Sequence, residues 1–97
     1  MKGKSRAIVI NENDNVATAL EPLPKGSRIL VEAGSRLLEI TLVSDVPMGH
    51  KFALTDLGAG QRVVKYSQPI GRTTAAVARG EHVHVHNLEG PQGKALP

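Results

Sequence analysis

The residues best suited to chemistry lie in one stretch, Gly80-Glu81-His82-Val83-His84-Val85-His86-Asn87, which holds three of the four histidines of the chain. They alternate with valines. Read as an extended strand, the alternation puts His82, His84 and His86 on one face and turns Val83 and Val85 toward a core. On a helix the three would be spread by about 100° per residue and would not converge. Neutral imidazole is a ligand for zinc, iron or manganese and titrates near neutral pH. Two histidines at i and i+2 on a strand have Cα atoms roughly 6.5–7 Å apart, close enough for both rings to bend toward one ion. Glu81 and Glu89 flank the run, but no ligating carboxylate is obvious. The same row also reads as a solvent-facing polar face on an edge strand. The residues by themselves leave both readings open.

The other candidates are scattered. His50 follows Gly49 where a loop enters a strand, a place for a site residue or for a structural hydrogen bonder. Lys51 can bind a carboxylate or be a solvated lysine. Tyr66, the single tyrosine, can cap a core or donate to a substrate. Gly49, Gly71 and Gly80 are explained by backbone geometry, and Asn87 by a local turn.

These residues have to be positioned by a small scaffold. A chain of 97 residues makes one domain with a modest core. With one Tyr, one Phe and no Trp, that core must be aliphatic. The absence of cysteine removes disulfides and thiolate metal sites, so any metal needs N and O ligands. The composition suits the cytoplasm. The formal charge of +3 comes partly from Lys2, Lys4 and Arg6. No aromatic platform accompanies the basic residues, so no nucleic-acid partner is expected. No apolar run reaches membrane-spanning length, and no apolar segment follows the basic start to make a signal peptide.

Along the chain, residues 1–6 are expected to be flexible, 7–88 to form the domain, and 89–97 to be a flexible tail. Short β runs are expected at 7–10, 16–20, 37–43, 50–54 and 62–66. The second should show Val16, Thr18 and Leu20 on one side and the alanines on the other. Phe52 and Leu54 should face one way. Pro69-Ile70-Gly71 reads as a corner, and 73–77 as a short helix or a strand. An echo recurs three times: an apolar residue, Gly three later, then apolar residues. It occurs at Leu23/Gly26/Ile29, Leu57/Gly60/Val63 and Val77/Gly80/Val83, each read as a bend ending at Gly and releasing into a strand. The unequal spacings exclude a solenoid. Many short strands with Gly and Pro corners give an all-β fold, a compact barrel with short helical turns.

Pro47-Met48-Gly49-His50-Lys51, Lys65-Tyr66, Ile70-Gly71 and Gly80 through Asn87 occur in one order. Together they resemble the SAF domain of the altronate and galactarate dehydratase family, which includes the small subunit of sulfolactate sulfo-lyase. The resemblance covers roughly residues 8–88. It implies a β-clip fold and a part in a carbon–oxygen lyase. In that reaction water, or sulfite in the sulfo-lyase branch, leaves C3 of a 2-hydroxy acid and the enol product becomes a 2-keto acid. It implies a divalent metal, iron or manganese, shared with a partner. The chemistry needs a base at C2, an acid or Lewis acid at the leaving group, and a cation at the carboxylate. The resemblance assigns His84, His86 and His50 to catalysis, His82, His84 and His86 to metal, and Lys51, Lys65 and Tyr66 to substrate. The family commonly has Gly after Lys-Tyr, where this chain has Ser67. In the family a much longer catalytic portion accompanies this domain. The chain is therefore expected to be a small subunit or isolated domain, inactive alone, that works on a sugar acid with a large dehydratase subunit. A homo-oligomer is compatible with this, as is a non-catalytic binding or assembly module.

Overall fold

The computed structural model describes residues 6–90. The expectations for 1–5 and 91–97 lie outside the described residues. The strands are β1 (Ala7–Ile8), β2 (Val16–Ala19), β3 (Arg28–Ala33), β4 (Arg36–Thr41), β5 (Lys51–Ala53), β6 (Arg62–Lys65), β7 (Gln68–Thr73), β8 (His82–Val83) and β9 (Leu88–Glu89). No helix occurs among the described residues, and so none is long and apolar enough to cross a membrane. The all-β expectation holds, without the helical turns. All pairing is antiparallel: one sheet ordered β1-β2-β5-β8, a β3-β4 hairpin, and a third sheet ordered β6-β7-β9.

One corner, used repeatedly, joins these pieces. At 24–27, 47–50, 58–61 and 78–81 the fourth residue's N–H donates to the first residue's carbonyl, over 2.9–3.3 Å. The third residue is a glycine at φ +88°, +84°, +74° and +83° in turn, the backbone of a type II turn. The apolar residue before each corner, Leu23, Val46, Leu57 or Val77, is buried. These residues pair as bridges, Leu23 with Val46 and Leu57 with Val77. Each pair is tied by a carboxylate: Lys25 N–H donates to Asp45 Oδ1 and Arg79 N–H to Asp56 Oδ1, both at 2.8 Å. The residue six positions after each apolar one, Ile29, Phe52, Val63 or Val83, enters the core.

The core has two parts. One gathers Ala17, Ala19, Leu23, Ile29, Val31, Ile40, Leu42, Val46, Phe52 and Leu54 around the only phenylalanine. The other gathers Val16, Ala53, Leu57, Val63, Val77, Val83 and Leu88. Phe52 and Leu54 thus face one way, as expected. On β2 it is the alanines that enter the first core, while Leu20 is exposed. Pro69-Ile70-Gly71 is not a corner but lies within β7. Proline is tolerated there because a bulge at Val63/Val64 interrupts the β6 ladder, and β9 pairs only with Arg72 and Thr73. Residues 74–77 form neither helix nor strand; Val77 bridges Leu57 and packs in the second core.

Candidate functional site

The corner at Gly49 and the corner at Gly80 deliver the histidines to one place. Each releases directly into a strand, β5 and β8, and these two pair with Phe52 opposite His82. By alternation His50 lies on the Phe52 side of β5, so it meets His82 at the strand ends. His50 Nδ1 and His82 Nε2 are 2.8 Å apart. One ring donates its N–H and the other accepts through a lone pair, so the pair needs at least one neutral accepting nitrogen. His84 stacks on His50 with ring centroids 3.9 Å apart and planes 19° apart. His82 lies 5.7 Å from His84 and 5.1 Å from His86, the latter tilted by 39°.

The expected strand through His86 stops at Val83. Residues 84–87 turn, closed by Asn87 N–H donating to the His84 carbonyl at 3.0 Å. Asn87 is buried and uses its whole side chain. Its Oδ1 accepts from His84 N–H and its Nδ2 donates to the His82 carbonyl, both at 2.9 Å. That local competition with strand pairing ends the alternation. Val83 is buried, but Val85, expected in the core, is 47% exposed. The asparagine makes the local turn expected of it and also braces the backbone of two imidazoles. Its side-chain reach to residues three and five positions earlier is the signal the sequence offered.

Lys51 is half-buried beside this cluster. Burial and the Lys65 charge hold its amine below the usual lysine range. Lys65 lies with Nζ 4.8 Å from the centre of the Tyr66 ring, a cation–π contact. Tyr66 itself is exposed. Tyr66 and Ser67 form the two-residue tip of the β6–β7 hairpin at φ +54° and +65°, the turn for which Asn-Gly is preferred. Buried Asp14 holds it, accepting from Ser67 N–H at 2.8 Å. Asn15 braces the same hairpin: its Oδ1 accepts from Val64 N–H at 2.8 Å and its Nδ2 donates to the Arg62 carbonyl at 3.0 Å. The sequence alone does not single out either residue.

The structure therefore brings together His50, His82, His84, His86 and Lys51, with Lys65 close enough to act on the Lys51 charge and in contact with Tyr66. His50, His82 and His84 each offer a ring nitrogen within 4.8 Å of the others. No carboxylate of the described residues joins them. Burial, then His86, His50, His84 and Lys51, push the His82 imidazole down to about 4. Burial, then His50, Lys51 and His86, also lower His84. Both shifts favour the neutral imidazole at His82 and His84, and Lys51 supplies an amine at their edge.

The sign of the pH effect follows. A histidine depressed from an unfolded value near 6.5 disfavours proton uptake in the folded state. Its contribution is fully present above about pH 6.5 and is lost as pH falls toward 4. Melting temperature should fall between pH 7.5 and pH 5, with a shallower slope in His82→Gln. Equal slopes in thermal melts of the two proteins would contradict this account.

Comparison with known proteins gives a consistent set of relatives. The sequence profile of the altronate/galactarate dehydratase SAF domain matches residues 5–91. The altronate dehydratase of Escherichia coli is 48% identical over 80 residues, 82% of this chain and 15% of that protein. The galactarate dehydratase (L-threo-forming) of the same species is 31% identical over 90 residues, 92% of this chain and 16% of that protein. Subunit alpha of the (2R)-sulfolactate sulfo-lyase of Chromohalobacter salexigens is 44% identical over 54 residues, 56% of this chain and 57% of that subunit. The chain thus spans about a sixth of the length of the dehydratases it matches.

Proposed function

The chain belongs to the altronate/galactarate dehydratase SAF domain family, and on that premise we propose that it is the SAF component of a sugar-acid hydro-lyase whose larger catalytic part lies outside these residues. The reaction removes the C2 proton and the C3 hydroxyl of a 2,3-dihydroxy acid. Water leaves, and the enol tautomerises to a 2-keto-3-deoxy acid. The observation that carries this reading is the four-imidazole cluster with Lys51 at its edge.

The groups suit that chemistry in distinct ways. His84 is half-buried, neutral at pH 7 and stacked on His50, so it has a free base form to accept a proton at C2. Lys51 has no carboxylate partner among the described residues, so its ammonium is available to a substrate carboxylate. Lys65 and Tyr66 extend this cationic edge. A divalent ion held by the imidazoles, iron or manganese, would supply Lewis-acid polarisation of the leaving hydroxyl.

A second reading has its own support. The chain covers 57% of one sulfolactate sulfo-lyase subunit alpha and 75% of another, from Paracoccus pantotrophus. Under it the leaving group is sulfite and this chain is the alpha-type subunit of a multi-subunit enzyme. The experiment is to purify the chain alone and together with a large dehydratase-type subunit, then assay altronate, galactarate and sulfolactate. The chain alone should turn over none, and the pair should eliminate water or sulfite from one of them. Full activity of the large subunit without this chain, or turnover by the chain alone, would defeat the proposal. The substrate consumed separates the two readings.

A further inference from the structure

Deepening the reading of this face as part of a lyase site, we infer that His50, His82 and His84 form a three-nitrogen site for one divalent transition-metal ion, with His86 outside the donor set. The grouping differs from the row His82, His84 and His86 that alternation suggests. It arises because the corner at Gly49 brings in a histidine from a distant part of the chain while the turn at 84–87 carries His86 outward.

The geometry fits a metal. With metal–nitrogen bonds of about 2.0–2.1 Å, neighbouring donors lie about 2.9 Å apart at right angles and about 3.4 Å apart at tetrahedral angles. His50 Nδ1 and His82 Nε2 are already 2.8 Å apart. The three nitrogens all fall within 4.8 Å of one another. The His84 ring stacks on His50 with centroids 3.9 Å apart, which keeps its nitrogen beside the other two. An all-imidazole set of this kind selects zinc, iron(II), cobalt(II) or nickel(II) over calcium or magnesium.

The supports are in place as well. Asn87 fixes the backbone on both sides of Val83 through the His84 N–H and the His82 carbonyl. The Ser44 hydroxyl accepts from His82 N–H at 2.9 Å. Such outer contacts hold ligands in orientation before the ion arrives. His86 is exposed, and its ring touches the group only at a tilt, through His82.

The test uses the full chain stripped of metal with a chelator. Cobalt(II) is titrated and followed by its visible absorption, then displaced with zinc. One ion should bind per chain. His50→Gln, His82→Gln and His84→Gln should each weaken binding at least ~100-fold, because loss of an outer contact alone costs about 10–100-fold, while His86→Gln should stay within about threefold. Circular dichroism checks that each variant is folded. If a variant fails to fold, ring-nitrogen NMR of the parent chain decides: zinc should move the signals of His50, His82 and His84 most. Absence of binding at millimolar cobalt, unmoved His50 signals, or a His86→Gln loss equal to that of His84→Gln overturns the inference. The titration needs no substrate and no partner, so failure of the lyase assay leaves its result standing, and the converse.

Discussion

Replacing Gly80 by valine is expected to cost most of the stability of the domain. Gly80 has φ +83°, and a Cβ built there would run into the Thr41 carbonyl oxygen and sit 3.3 Å from Leu42 Cα. Both are backbone atoms that cannot step aside. The close approach is enforced from both sides: Gly80 N–H donates to the Ala53 carbonyl at 2.8 Å, and Val43 N–H donates to the Gly80 carbonyl at 3.0 Å. Left-handed backbone at a non-glycine residue costs roughly 1–2 kcal/mol and overpacking about 1–3 kcal/mol more, so the loss is roughly 2–5 kcal/mol. That is a large share of the roughly 5–15 kcal/mol that holds an ordinary domain together.

Gly60 is the internal reference. It has the same sign of φ, +74°, at an equivalent corner, but a Cβ there meets nothing within 4 Å. Gly60→Ala should lose only the backbone term, about 1–2 kcal/mol. Urea or thermal melts of Gly60→Ala, Gly80→Ala and Gly80→Val separate the two effects. If Gly80→Ala melts with Gly60→Ala, the contact with Thr41 has no energetic weight. If Gly80→Val melts like the parent chain, the corner itself is misassigned.

The corners also show what was legible. The echo of apolar residue, Gly three later and an apolar residue six later is visible at Leu23, Leu57 and Val77, and it marks real corners. The fourth, Val46, Gly49 and Phe52, obeys the same rule, but the polar His50-Lys51 pair disguises it. Its recognition would have placed His50 at the last position of its corner, as Glu81 is of the corner at Gly80, with His82 one residue further on. The alternating His-Val run was misleading for the opposite reason. Period-2 patterning predicts a strand only while the ladder outcompetes local side-chain bonds, and Asn87 wins that competition after Val83. Asp14 and Asn15 were not legible as braces, because their partners lie about fifty positions along the chain. Chemistry-bearing residue types could be read from spacing; which of them meet was decided by tertiary register.

His84→Gln and His50→Gln are expected to lower turnover of the assembled enzyme by at least about 10²-fold, the scale of a lost acid–base group, while leaving assembly intact. The two imidazoles stack at 3.9 Å on a backbone held independently by Asn87 and by the corner at Gly49. Glutamine therefore removes the imidazole, as proton acceptor or as metal donor, without removing the support. It keeps similar length and polarity, so the stability change should be small beside that at Gly80. Under the proposed mechanism the effect should appear in kcat more than in KM, since there the imidazoles serve the reacting carbons and Lys51 the carboxylate. Lys51→Met supplies the contrast, with KM raised and a smaller fall in kcat. Steady-state kinetics on the co-purified complex, with metal content measured on the same samples, distinguishes a lost base from a lost ion. A His84→Gln enzyme that keeps its metal yet loses turnover identifies His84 as the proton acceptor and overturns the three-nitrogen site. One that loses both assigns it to the metal. Parent-like turnover in both histidine variants would mean that the imidazole cluster is scaffold, and that the chemistry belongs wholly to the rest of the enzyme.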